Sequence, residues 1–205
     1  MSRPLTWRLF LGIVGLAIGG GVLAFSLTWL VLSWPTLVAR LGWTLDHIAG
    51  TSVAVLAPAV QLSVTTDHLV IPTIHVDAPV FYNTTITDAV GKLPDGVVHV
   101  QNTAEPGQIG NAVIVGHSSG NWWHSGAFTQ VFVLLDKLQT GDRIYLNRAG
   151  DTFVYAVVSR EIVPPTAIDG LTQPTDRHEL SLITCSPVGT TLNRLIIHAT
   201  LESRD

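Results

Sequence analysis

The residue best equipped for chemistry is the only cysteine, Cys185. A thiolate is a strong nucleophile, and a nearby imidazolium or guanidinium stabilises it. Arg194 follows nine positions later, and His117 lies upstream. Arginine stays charged and donates through a fixed fork, which suits an oxyanion formed on a carbonyl. An imidazolium can return a proton to a departing amine. Together the three describe covalent acyl transfer. A single cysteine also rules out an intrachain disulfide as the reason for its presence.

For these side chains to meet, the strands that carry them must be ordered in a particular way. From His68 onward the sequence reads as short β-rich runs separated by Pro, Gly, Asn and Asp. The expected strands are Leu69–Val76, Ala78–Phe81, Val97–Val100, Ala112–His117, Arg143–Asn147, Thr152–Val158, Glu179–Cys185 and Leu192–Leu201. Eight short strands with turns between them predict a mainly β fold, a closed or nearly closed barrel with short helices. Apolar spacing at Val131, Leu134, Leu135 and Leu138 predicts a helical turn or two within Phe128–Leu138. A loop as short as that between Cys185 and Arg194 joins antiparallel neighbours, which sets thiol and guanidinium at one rim. His117 closes its own strand, after Gly116, which permits close backbone approach. It reaches the same rim if that strand runs parallel to the cysteine strand.

Upstream, no charged residue falls between Arg8 and Arg40, and Leu9 to Trp34 is almost continuously apolar. About 20 such residues cross a hydrocarbon core as a helix, longer than the apolar core of a cleaved signal peptide. Arg3 and Arg8 keep the short N-terminus in the cytoplasm. The expected division is residues 1–8 cytoplasmic, 9–34 transmembrane, 35–67 a helical and linking segment, and 68–205 an extracytoplasmic catalytic domain. Pro35 suits a helix start, and the spacing leaves open whether 35–50 lies along the membrane or packs on the domain. A net charge of −4 gives no basic patch for nucleic acid.

The segments around these residues carry a resemblance. Ser181-Leu182-Ile183-Thr184-Cys185 followed by Arg194 is similar to the TLxTC…R signature of sortases, with serine in place of the usual first threonine. Pro106-Gly107-Gln108-Ile109-Gly110-Asn111-Ala112-Val113-Ile114-Val115-Gly116-His117 resembles the PGxxGNxxIxGH segment of that family, and Ile71 to Val80 resembles its first strands. The resemblance covers about Leu69 to Leu201 and implies an eight-stranded sortase-type β-barrel with His117, Cys185 and Arg194 as catalytic residues. It implies a transpeptidase that cleaves an LPxTG-like motif near the C-terminus of exported proteins. A thioacyl-enzyme then passes to an amine on a peptidoglycan precursor or a pilin lysine. A groove walled by about Val163–His178 is implied for the motif, with Thr184, Pro164, Pro165 and Ile168 as candidate substrate-binding residues. Ser181 shares the face of Cys185 by alternation and keeps a hydroxyl. The Asn121-Trp122-Trp123-His124 stretch departs from the common pattern, so no class is assigned.

Other readings compete at each residue. Cys185 could be a buried apolar residue and Arg194 an ion-pair partner. His99 also ends a strand-like run and rivals His117. Zinc held by Cys185, His117 and His124 lacks the usual ligand spacing, and no EF-hand-like acidic loop is present, so neither metal nor cofactor is expected. Trp122 and Trp123 are either a partner-binding tip or a packed loop. Two further functions stand as alternatives, a thiol hydrolase that releases the acyl group to water and a membrane-anchored β domain that binds without chemistry.

Overall fold

A computed structural model describes residues 5–48, 67–120, 126–170 and 172–204. The chain falls into two compact units, Met1–Leu41 and Gly42–Asp205. Helix α1 spans Leu5–Ile48. Among the described residues no single helix is long and apolar enough to cross a membrane, but one bent pair passes by length and composition. Its halves, Gly20–Val31 and Thr36–Leu45, meet at 60°. Pro35 lies in the break, where a proline removes a backbone donor and clashes with the preceding turn. The helix therefore runs on through the proline rather than starting there.

Eight strands close into a barrel in the order β1-β2-β3-β4-β7-β8-β6-β5. They are β1 His68–Ile71, β2 Val76–Thr84, β3 Val97–Val100, β4 Gly110–Val115, β5 Arg143–Arg148, β6 Asp151–Val163, β7 His178–Ser186 and β8 Asn193–Arg204. Leu69, Ile71, Ile114, Leu146, Leu180, Leu182 and Ile197 are among the side chains that are fully buried. Each contributes roughly 1.5–3 kcal/mol by leaving water.

Two neighbour pairs run parallel, β2–β3 and β4–β7. A parallel pair that is consecutive in sequence needs a crossover, and helix α2, Ile86–Lys92, lies in it. Thr85 caps α2 by accepting from the Asp88 N–H at 3.1 Å. The segment expected as one strand, Leu69–Val76, is instead a hairpin. Pro72–Ile74 forms a 3-10 turn and His75 takes the left-handed conformation at φ 54°, so Ile71 faces Val76. The expected helical turns near 128–138 resolve into hydrogen-bonded turns ending in a 3-10 turn at Leu135–Lys137, with Leu135 and Leu138 buried.

Candidate active site

Alternation along β7 sends Ser181, Ile183 and Cys185 to one face. Cys185 stands opposite Arg194 in the antiparallel register of β7 and β8, and Val163 at the end of β6 stands opposite Arg194 on the other side. Ile183 packs with Val113 and Ile196, and partly buried Val100, Val115 and Val163 extend this apolar floor beneath the thiol. β6 reaches this row because it outruns β5, whose pairing ends at Ala156, and continues on β8 alone as far as Val163.

Strand β4 stops at Val115, so His117 does not close it but lies two residues beyond. Three hydrogen bonds carry the backbone to that point. The Gly116 N–H donates to the Ile183 carbonyl at 3.1 Å, the Thr184 hydroxyl donates to the Gly116 carbonyl at 2.8 Å, and the Phe132 N–H donates to the His117 carbonyl at 2.9 Å. Gly116 has no room for a side chain, since an added Cβ would sit 2.5 Å from the Phe132 ring. Because β4 and β7 are parallel, with Val115 beside Ile183, this extension leads toward Cys185. A cavity of about 160 Å³ results, lined by His117, Ser118, Ser119, Gly120, Cys185, Gly189, Thr190 and Thr191.

Arg194 is half-buried, and its Nη1 donates to the carbonyls of Thr191 at 3.2 Å and Asn193 at 3.1 Å. Those bonds fix one arm of the guanidinium over the β7–β8 loop. Among the described residues Nε and Nη2 have no partner, so a donor edge remains for an incoming carbonyl oxygen.

A family model for the sortase domain matches residues 69–202. The chain belongs to the sortase family. Members of this family are cysteine transpeptidases, and their fold is the eight-stranded barrel found here. Sortase D of Bacillus subtilis strain 168 is 29% identical over 133 residues, 63% of this chain and 60% of that protein, so the match spans about three fifths of the relative's length. Sortase A from Corynebacterium diphtheriae (a lid mutant) superposes with a TM-score of 0.58 at 27% identity, covering 69% of this chain and 72% of that one. Sortase C-1 from Actinomyces oris gives 0.57 at 30% identity over 66% and 73% of the two chains. A Clostridium perfringens sortase D5 transpeptidase gives 0.56 at 29% over 68% and 79%.

Within this sortase the other expected site residues divide. Alternation turns Thr184 to the face opposite Cys185, where it is 3% exposed and its hydroxyl is committed to Gly116. Pro164 and Pro165 are exposed and directly follow Val163, with Pro165 opening the 3-10 turn Pro165–Gly170. Ile168 lies in that turn, and its side chain is outside the described part, as are Trp122, Trp123 and His124. The far arm of this connection is pinned. Gln173 accepts from the Asn111 N–H at 3.0 Å and donates to the Asn111 carbonyl at 3.2 Å, as a strand partner would.

His99 has a different setting from His117. It is 1% exposed, lies 5.2 Å from the Tyr82 ring centroid, and lines no part of the Cys185 cavity. Its Nε2 meets the Ala104 carbonyl at 2.9 Å and its Nδ1 accepts from the Asn83 N–H at 3.5 Å, which fits the neutral ring with its proton on Nε2. Burial pulls its pKa below the ordinary histidine value, outweighing the Ala104 bond and the nearby Glu105 charge, which act the other way. Ser181, also buried, places its hydroxyl 3.3 Å from His198 Nδ1, whose Nε2 lies 3.1 Å from Glu161. The cavity residues after His117 and in the β7–β8 loop were not singled out from sequence. The only signal there was a cluster of small and hydroxyl-bearing residues at 118–120 and 189–191.

Proposed function

We propose that this chain is a membrane-anchored cysteine transpeptidase acting outside the cytoplasm on exported proteins that carry an LPxTG-like sorting motif near the C-terminus. The observation that carries the reading is the pairing of Cys185 with Arg194 across β7 and β8, with His117 brought into the same cavity by the β4 extension. In this reading Cys185 attacks the backbone carbonyl of the motif. The Arg194 guanidinium receives the oxyanion, and His117 gives its proton to the departing amine. The thioester left on Cys185 passes to a primary amine from a peptidoglycan precursor or a pilin lysine. The apolar floor beneath the thiol suits the apolar part of such a motif, and Pro164 and Pro165, which directly follow Val163 of that floor, support a role for the segment that also carries Ile168.

Anchoring by residues 9–34 is supported by the charge-free run after Arg8 and by its overlap with the first half, Gly20–Val31, of the bent apolar helix pair. Residues 1–8 are then cytoplasmic, 35–67 connects, and 68–205 is the exported domain. A protease added to intact cells, with the wall removed, should cut that domain; protection from it contradicts the orientation.

The test of the activity is product analysis. An LPxTG-type peptide incubated with and without a primary amine should give the aminolysis product only with the amine. Hydrolysis at the same rate in both incubations assigns a thiol hydrolase, and no cleavage with an unreactive Cys185 assigns a binding domain.

A further inference from the structure

The second half of the bent apolar pair, Thr36–Leu45, carries its large exposed residues on one side only. At 3.6 residues per turn, Val38, Leu41 and Leu45 fall within about 60° of one another around the helix axis. All three are exposed, at 49%, 61% and 64%. Thr36, Arg40 and Trp43 fall on the other side of the axis. These are half-buried, and each has a polar or ring contact within the protein. For Trp43 one such contact is the Lys137 ammonium, which stands over its ring at 5.2 Å from the centroid. The helix half is therefore amphipathic, with a partnered polar side and an apolar side that no described residue covers.

Its place in the chain says what covers that side. As a helix, residues 9–34 run about 39 Å, already longer than the roughly 30 Å hydrocarbon core. Thr36–Leu45 is thus surplus to the crossing, and it carries Arg40, a residue costly at the centre of a bilayer. It meets Gly20–Val31 at 60°. With the first half along the membrane normal, the second then runs within about 30° of the membrane plane. Trp34, 59% exposed, lies at the bend, where an indole suits the interface. An apolar stripe on one side and polar groups on the other is the pattern of a helix lying in the headgroup layer.

Resting on the anchoring of residues 9–34 proposed above, we propose that Thr36–Leu45 lies along the external face of the membrane, with Val38, Leu41 and Leu45 seated among lipid acyl chains just below the headgroups. The partner is the bilayer itself. The helix holds the exit of the chain at the headgroup layer. An upright helix would instead lift Leu45 about 14 Å above Thr36.

The experiment places one nitroxide label on the full-length protein in vesicles of phosphatidylglycerol and phosphatidylethanolamine. It reads contact of the label with oxygen, which concentrates in lipid, against contact with a water-soluble nickel chelate. The native thiol is removed by Cys185→Ala, and label sites are introduced one at a time through Phe25→Cys, Thr36→Cys, Val38→Cys, Arg40→Cys, Leu41→Cys and Leu45→Cys. Phe25, 74% exposed within the proposed span, is read first. An aqueous reading there overturns the anchoring and this inference with it. With Phe25 in lipid, the oxygen-to-nickel ratio should be several-fold higher at 38, 41 and 45 than at 36 and 40, and 38, 41 and 45 should share one depth. A ratio that falls steadily from 36 to 45 describes an upright stalk, and an equally high ratio at all five sites describes a continued span. Labels at 38, 41 and 45 shielded from both reagents describe a face covered by protein, such as a second copy of the chain. Each of these three results overturns the proposal while leaving the anchoring in place.

Discussion

Thr184→Val tests how His117, the proposed proton donor, is held. The substitution keeps the shape of the side chain and removes only the hydroxyl that donates to the Gly116 carbonyl at 2.8 Å. That carbonyl belongs to a buried residue, and among the described residues the Thr184 hydroxyl is its hydrogen-bond donor. Leaving a buried acceptor unpaired costs about 1–3 kcal/mol. For a domain of this size each kcal/mol lowers the melting temperature by roughly 3–5 °C, so a fall of about 3–15 °C is expected. Turnover should fall further than stability explains. Gly116 precedes His117, and a misplacement of about 1 Å in a catalytic group can cost on the order of 10²-fold. At a temperature where the variant is fully folded, turnover of a sorting-motif peptide should drop about 10–100-fold. Alkylation of Cys185 by a small reagent should persist, and Thr184→Ser should recover most of the turnover. A Thr184→Val protein that melts lower yet turns over normally would refute the reasoning, since the hydroxyl would then serve the fold and not His117.

Arg194→Ala should lose on the order of 10²–10³ in turnover, the effect of removing an oxyanion donor. Arg194→Lys should be nearly as poor because it lacks the planar fork; near-normal turnover in the lysine variant would mean that only the charge matters. His99 supplies a pH dependence of stability rather than of catalysis. Burial depresses its folded pKa, so the unfolded chain binds the proton first. Stability is full above about pH 6.5 and is lost as pH falls from there toward the folded value. Melting curves should show a shallower loss between about pH 7 and 5 in His99→Gln, and an identical slope would assign the loss to other groups. Gln173→Ala should free the connection after Pro164, raising the KM for peptide more than it lowers kcat and speeding amide exchange at Asn111. Unchanged exchange would mean that Gln173 does not pin it.

Much of this architecture was legible because alternation is a strong signal when one face packs on a core. Val97–Val100 has the expected bounds, and the pairing of Cys185 with Arg194 follows from a loop too short for anything but antiparallel neighbours. The hairpin at Pro72 was hidden by Thr73 and Ile74, β-branched residues that read as strand although a proline and a left-handed His75 turn the chain. Helix α2 was missed although Thr85 and Asp88 carry a capping pattern, because seven residues are too few for a periodic signal. The parallel β4–β7 pair was the condition on which the site depended, and it joins segments far apart in sequence, which local patterns do not encode. The resemblance that implies a substrate role for Thr184 does not encode its facing, and adjacent strand residues such as Thr184 and Cys185 face opposite sides. The Thr184 hydroxyl belongs to the backbone that carries His117.

The central claim is that Cys185 is the covalent nucleophile, and mass spectrometry of the intact protein tests it most directly. After incubation with an LPxTG-type peptide in the absence of amine, the protein should gain the mass of the N-terminal fragment. The adduct should map to the peptide containing Cys185, and hydroxylamine should release it as a thioester. Cys185→Ala should show neither the adduct nor turnover. A Cys185→Ala protein that still cleaves the peptide and transfers it to an amine would contradict the account.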